Sequence, residues 1–372
     1  MSGFCGIINL SKKPVEIEEI ASMFHKIEIS AVDRSELWAK DNIGLGHKLN
    51  YFTPESFYEK LPFYDSIKGI AITADTRIDN REDLAKKLGI RLSLDDITTD
   101  SQLIILAYEK WGVEFANHLI GDFSIVIWDE KQQQVILTTD HFGHYPIYYH
   151  FDKGQLIFAS ELKSIHSRVN KGINPNKIVD LLIFENFYED KESTYLKDVL
   201  KVEPATSLII NTSSIKKHVH WELDITKRLP YKKESDLVEA FQEVMFQSVG
   251  DRIRTNFPVS TMLSGGLDSS AITAVAANIL KKQNRELFAL AGVLPESSKP
   301  TFTDERVFID EFKSFENVKI KYLTAEGLGP FSGMEKKLAL TFSPNFSTCH
   351  FMYDAISNAA QECNARVVLD GL

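Results

Sequence analysis

The sequence predicts two domains in tandem, an α+β front half followed by an α/β rear half built on a parallel sheet. Three observations carry that prediction. At 372 residues the chain exceeds one ordinary domain of roughly 100–200 residues. Its front half alternates short β-prone runs with polar turns. Its rear half presents strand, glycine loop and helix in that order. The expected divisions are a front domain over 1–170, a connecting segment over 171–233 and a rear domain over 234–372.

Phe4 to Leu10 is apolar and β-prone and stops at Ser-Lys-Lys-Pro. Gly69 to Thr73 reads as a second buried strand. Asn80 to Leu88 is expected to be helical, with Asn80 as cap and Leu84 and Leu88 on one face. Thr99 or Asp100 caps the next helix, whose stripe is Leu103, Ile104, Ala107 and Tyr108. Phe123–Trp128 and Val135–Thr139 form a hairpin across a polar turn. Ile147–Phe151 and Leu156–Ala159 form another. Asn174 and Pro175 start a short helix ending near Phe187, and a strand-like stretch follows at 202–211. Thr226 to Lys233 is the linker, where Lys, Arg and Pro replace the apolar pattern. A helix begins at Ser235 with Leu237, Val238, Phe241, Val244 and Met245 on one side. Leu287–Val293 and Arg366–Leu369 are further rear strands.

Composition excludes several function classes. Hydrophobic residues are 44% and charged residues 25%, as in globular proteins. A formal net charge of −10 argues against nucleic acid or an anionic membrane as partner. No apolar run approaches the roughly 18 residues of a membrane span, and the amino terminus has no secretory pattern. Cys5, Cys349 and Cys363 lie far apart, without a CxxC pair, which fits a reduced cytoplasmic setting. His141 and His144, three residues apart, lack a third ligand nearby and read as structural. Lys216, Lys217 and His218 read as a solvated turn, and Phe57, Tyr58, Phe63 and Tyr64 as core packing.

The sharpest local signal runs from Pro258 to Ser270. An apolar strand enters Ser264-Gly265-Gly266, and a helix starts near Asp268. Adjacent glycines let the backbone curl so that several N–H groups point inward. A helix amino terminus adds partial positive charge, completing an anion cradle. Ser264 and Ser269 can donate hydroxyl hydrogen bonds to phosphate oxygens, and Asp268 could hold the magnesium that accompanies a pyrophosphate. A tight strand-to-helix turn with serine caps is the plain alternative. The SGGxDS spacing, which matches the pyrophosphate loop of ATP pyrophosphatases, favours the cradle.

With that loop, five separated blocks resemble the asparagine synthetase family in the family's own order. They are Phe4-Cys5-Gly6-Ile7; Gly121-Asp122-Phe123 through Trp128-Asp129; Asp140 through Tyr149; Phe158-Ala159-Ser160-Glu161-Leu162-Lys163; and Leu263 through Ser270. The resemblance implies an αββα amino-terminal-nucleophile-like front domain that hydrolyses glutamine. It also implies a rear domain of the adenine nucleotide α-hydrolase type, using ATP and Mg2+. There a carboxylate, aspartate in the parent reaction, is adenylated with loss of pyrophosphate, and ammonia attacks the acyl group. Carried over by position, Cys5 would be the nucleophile and Asp100 would grip the amino group of glutamine. Leu263 and Ala291 would border the adenine or ribose. Ser264, Gly265, Gly266, Asp268 and Ser269 would hold phosphates, with Asp268 at the metal. Asp304 and Glu305 fall where the family has an acidic pair. Asp370 and Gly371 fall where it has Ser-Gly-Glu, and look more like peptide-joining relatives such as lasso-peptide macrolactam synthetases.

Three departures qualify the resemblance. Cys5 follows Met1-Ser2-Gly3-Phe4, so its amide nitrogen would be a base only after cleavage behind Phe4. The family's glutamine pocket is replaced: Asp33-Arg34, Gly46-His47-Lys48-Leu49 and Asp75-Thr76-Arg77 stand in its place, leaving Asp100. Weak or absent glutaminase activity is therefore expected. The sequence ends at Asp370-Gly371-Leu372, within a motif beyond which family members continue, so an incomplete rear sheet is expected. An amide-forming ligase is the leading reading. A macrolactam synthetase taking a peptide amine, and a non-catalytic binding fragment, are its alternatives. Glutamine or ammonia, a small carboxylate and a peptide are the partners implied, with a homodimer left open.

Overall fold

The computed structural model describes residues 2–93, 97–183, 190–295, 304–344 and 347–371. They form two compact units, one centred on Glu55–Asp224 and one on Ile225–Lys337. The first contains β1 (Gly3–Asn9), α1 (Ile17–Phe24), β2 (Arg34–Lys40), β3 (Ile43–Leu49), β4 (Phe63–Asp65), β5 (Ile70–Ile78), α2 (Arg81–Leu88) and α3 (Asp100–Trp111). It continues with β6 (Gly121–Asp129), β7 (Gln134–Thr139), β8 (Tyr148–Asp152), β9 (Gln155–Ala159), α4 (Leu162–Val169), α5 (Pro175–Leu182), β10 (Leu200–Lys201), β11 (Thr206–Ile210) and β12 (Ile215–Val219).

These strands make two antiparallel six-stranded sheets, β10-β8-β9-β1-β3-β2 and β12-β11-β7-β6-β5-β4. One apolar cluster joins the facing surfaces, with Phe4, Ile8, Leu45 and Phe158 from the first sheet and Ala71, Val126, Trp128 and Leu137 from the second. Helices α1 and α4 cover the outer face of the first sheet around Ile7, Ile20, Met23 and Ile165. Helices α2 and α3 cover that of the second around Ile72, Leu84, Leu103 and Ile104. The layers run helix, sheet, sheet, helix, which is the αββα arrangement.

Side chains alternate across each strand. Ala71, Thr73, Asp75 and Arg77 of β5 therefore face the space between the sheets, while Ile72, Ala74 and Ile78 face the helices. On β1, Phe4 and Ile8 face inward, while Cys5 and Ile7 face α1 and α4.

Local chemistry explains the boundaries and corrects some expectations. Thr99, rather than Asp100, caps α3. Its hydroxyl accepts from Gln102 N (3.3 Å), and Gln102 Oε1 accepts from Thr99 N (2.8 Å), a capping box worth about 1 kcal/mol. Asn80 sits at the cap position of α2 without capping it. Its amide instead ties the approach to β6, accepting from Ile120 N and donating to His118 O, both at 2.9 Å. Phe57, Tyr58 and Phe63 are exposed rather than core; Tyr64 stacks on Trp38 and Phe57 packs on Tyr51. Lys216, Lys217 and His218 lie on the edge strand β12, where Lys217 bridges Glu192 and Glu203. The hairpin β2–β3 was not anticipated. The end expected for α5 near Phe187 lies outside the described residues. Strands β10 to β12, from the segment expected to connect, extend both sheets.

The second unit contains α6 (Glu234–Arg252), β13 (Val259–Met262), α7 (Leu267–Lys282), β14 (Leu287–Gly292), α8 (Arg306–Ile309), β15 (Val318–Leu323), the first half of α9 (Met334–Thr341), whose residues from Leu338 belong to the first unit, α10 (His350–Glu362) and β16 (Val367–Leu369). Its four strands are parallel in the order β15-β14-β13-β16. Strand β15 was missed by sequence reading. Helix α6 forms where expected, but Leu237, Val238, Phe241 and Val244 are exposed. It is anchored by its last turns, through Val249 and Ile253 against α7. Among the described residues no helix is long and apolar enough to cross a membrane.

Candidate active site

In the second unit the chain leaves β13 through α7 to β14 and β15 on one side, while β16 returns on the other. The carboxyl ends of β13 and β16 therefore flank a topological switch point, where open α/β sheets bind ligands. Leu263, Ser264, Gly265 and Gly266 follow β13, and Asp370 and Gly371 follow β16. The topology brings these two predicted segments together.

Gly265 has φ +78°, and a β-carbon there would lie 3.2 Å from Glu305 O and from Phe308 Cβ. The left-handed turn sends the chain into α7 with Gly266 as cap. The serines organise the turn. Ser264 Oγ and Ser269 Oγ are 2.9 Å apart, and Ser269 Oγ accepts from Ser264 N at 3.2 Å. Ser269 is buried, so its hydroxyl braces the loop from behind. Ser270 N closes the first helical turn on Gly266 O. The preceding amides of Leu267 and Asp268 belong to the turn that a helix leaves without internal partners, and they supply the positive end of its dipole. Ser264, Gly266, Leu267 and Asp268 are exposed.

Leu263 and Ala291 are buried in the apolar cluster beneath this loop. They could border a ligand only through their main chain. Of the acidic pair, Asp304 is matched to Arg306, 2.6 Å away, whereas Glu305 stands beside Gly265. The parts fit a bound polyphosphate: an exposed first turn of a helix and a glycine-only bend leading into it.

The front unit differs in character. Cys5 lies in mid-strand, paired with Gly46 on one side and Ala159 on the other. It is wholly buried, and burial pushes its thiol up to about 12, against a smaller opposing hydrogen bond with Ser164. Such a thiol is neutral at physiological pH, whereas a nucleophilic cysteine needs its thiolate. Asp75 and Arg77 face the other side of the first sheet, across the inter-sheet space. Asp75 accepts hydrogen bonds from the Ser2 amide and hydroxyl, and burial raises its carboxyl above the usual range. Arg77 Nε meets Asp79 Oδ1 at 2.8 Å, both buried. Asp100 accepts from Ile78 N (3.0 Å) and pairs with Arg81. Lys48 Nζ donates to Ile27 O at 2.7 Å. The structure thus places Cys5 apart from Asp75 and Arg77, and engages Asp100 in an internal ion pair. Sequence reading did not anticipate the Ser2–Asp75 contact; the polar Ser2, in register with buried Phe4, was its only signal.

Comparison with known proteins follows the same division. A family model described as a glutamine amidotransferase domain matches residues 1–221, and one described as asparagine synthase matches residues 240–328. Amidase chry2 of Gibberella zeae is 28% identical over 328 residues, covering 87% of this chain and 47% of the relative. Asparagine synthetase (glutamine-hydrolyzing) 2 of Bacillus subtilis is 29% identical over 319 residues, covering 82% and 41%. The chain spans less than half the length of these relatives. A solved glutamine phosphoribosylpyrophosphate amidotransferase from B. subtilis superposes with a TM-score of 0.43 at 13% identity, covering 100% of this chain and 90% of that one.

Proposed function

The chain belongs to the asparagine synthetase family, its front unit a glutamine amidotransferase domain, and from that membership we propose that it is part of an ATP-dependent amide-forming ligase. In this reading the loop from Ser264 to Ser269 receives the phosphates of ATP. The single observation that carries it is the left-handed turn at Gly265, after which Leu267 and Asp268, the first residues of α7, are exposed at the switch point. The amides of Gly266, Leu267 and Asp268 would bind the β- and γ-phosphates. Asp268 would be a carboxylate for Mg2+, which spreads the charge building on the leaving pyrophosphate. A carboxylate substrate attacks the α-phosphorus, the bond to the pyrophosphate oxygen breaks, and an amine then displaces AMP. The test is calorimetric titration of the chain with ATP and Mg2+. Binding in the micromolar range that Asp268→Asn weakens is expected; absence of heat overturns the reading.

A second reading concerns the source of the amine. The neutral, buried Cys5 and the internally paired Asp100 favour an amine supplied directly, as from a peptide, over ammonia released from glutamine. Aspartate or a peptide side chain would supply the carboxylate. Glutamate release from glutamine by the purified protein, measured enzymatically, is expected to be at background. A turnover abolished by Cys5→Ser would overturn this part alone.

A further inference from the structure

The first unit also contains a cavity of about 450 Å³ remote in chemistry from everything above. Its walls come from α5, from β8 and β10, from residues 190–195, and from Leu162, Pro204 and Ser343. The pairing of β10 with β8 sets Lys201 directly opposite Tyr148, so both side chains stand on one face. Lys177, in the first turn of α5, reaches the same space.

The charges do not balance. Lysines 177, 191 and 201 line the cavity against Asp180 and Asp190. Both aspartates are engaged with Lys177, each at 3.7 Å, and Lys177 Nζ donates to Asp190 O at 2.8 Å. Among the described residues, neither the Lys201 ammonium nor the Tyr148 hydroxyl has a hydrogen-bonding partner. Both residues are partly buried: burial, then the charge of Lys177, moves the Lys201 ammonium down from its ordinary value, and burial, then Glu161, pushes the Tyr148 hydroxyl up to about 12. Two partly buried donors converging on one cavity without a protein acceptor suit a guest bearing anionic oxygens.

We propose that this cavity binds a small oxyanion, a phosphate or carboxylate group held by Lys201 and Tyr148 with Lys177 at its rim. The volume suits a metabolite-sized guest. The full chain is titrated calorimetrically with inorganic phosphate and pyrophosphate in one arm, and with aspartate and glutamate in the other, to separate the two sources of the group. Lys201→Met is expected to weaken the recognised anion roughly 10- to 100-fold, Tyr148→Phe to weaken it less, and Lys201→Arg to retain it. Gly371→Val, which alters the loop of the second unit, is expected to leave it unchanged. Melting curves identify any variant that fails to fold, and Tyr148→Phe then serves as the deciding variant. The proposal is overturned if the wild-type chain takes up none of the four anions, if Lys201→Met binds as tightly as wild type, or if binding disappears in Gly371→Val.

Discussion

Gly371 lies so close to the amide of Ser269 that a β-carbon built on it would stand 3.0 Å from that nitrogen and 3.2 Å from Asp268 Cβ. The end of one strand is thereby fitted against the start of the helix that leaves its neighbour. Gly371→Val forces the two apart and tilts the main-chain donors. We expect ATP binding to weaken at least about tenfold, ~1.4 kcal/mol, with little change in melting temperature, as read by calorimetry beside a thermal scan.

The Arg77–Asp79 pair is buried on both sides. Arg77→Ala removes the guanidinium from a buried ion pair while leaving the Asp79 carboxylate in place, a destabilising change of up to about 3–5 kcal/mol. Urea unfolding of the variant is expected to show a lowered midpoint. Arg77→Met with Asp79→Leu should recover much of the loss, since it removes both charges together.

Cys5 should resist alkylation in the folded protein, because its thiol sits near 12 and is sealed from solvent. Cys349 is exposed and should label readily. Mass spectrometry after a brief iodoacetamide pulse distinguishes them. Modification of Cys5 at a rate comparable to Cys349 would contradict the burial described.

Glu161 carries a pH signature. Burial moves its carboxyl from an ordinary 4.5 up to about 7, opposed by hydrogen bonding from the Glu28 amide. Between those values the folded protein holds a proton that the unfolded chain has released, so stability is full below 4.5 and falls as pH rises through 7. Partial exposure limits the effect to the order of 1–2 kcal/mol. Glu161→Gln is expected to flatten this part of the stability profile, with Asp75 leaving a residual slope of the same sign. Denaturant midpoints across that pH range provide the check.

The loop at Ser264 was legible because a tight left-handed bend demands glycine wherever it occurs, and neighbouring residues reveal the strand and helix around it. The capping box at Thr99 was legible for a similar reason, being local. Strand β15 was readable in principle, since Val318, Ile320 and Tyr322 alternate with two lysines. Strands β10 and β12 were not: one has two residues and the other carries Lys216, Lys217 and His218, the charged dress of an exposed edge. Periodicity showed that α6 is amphipathic, but not whether its apolar stripe is covered. Asp100 was picked out by position, yet its partner Arg81 becomes visible only once α2 and α3 pack.

The alternation along β1 also limits what Cys5 can reach. Neighbouring residues of a strand look in opposite directions, so no rotamer of Cys5 carries its sulfur to the Phe4 side of the sheet. A thiol facing the inter-sheet space would need a cysteine at a position that shares the parity of Phe4.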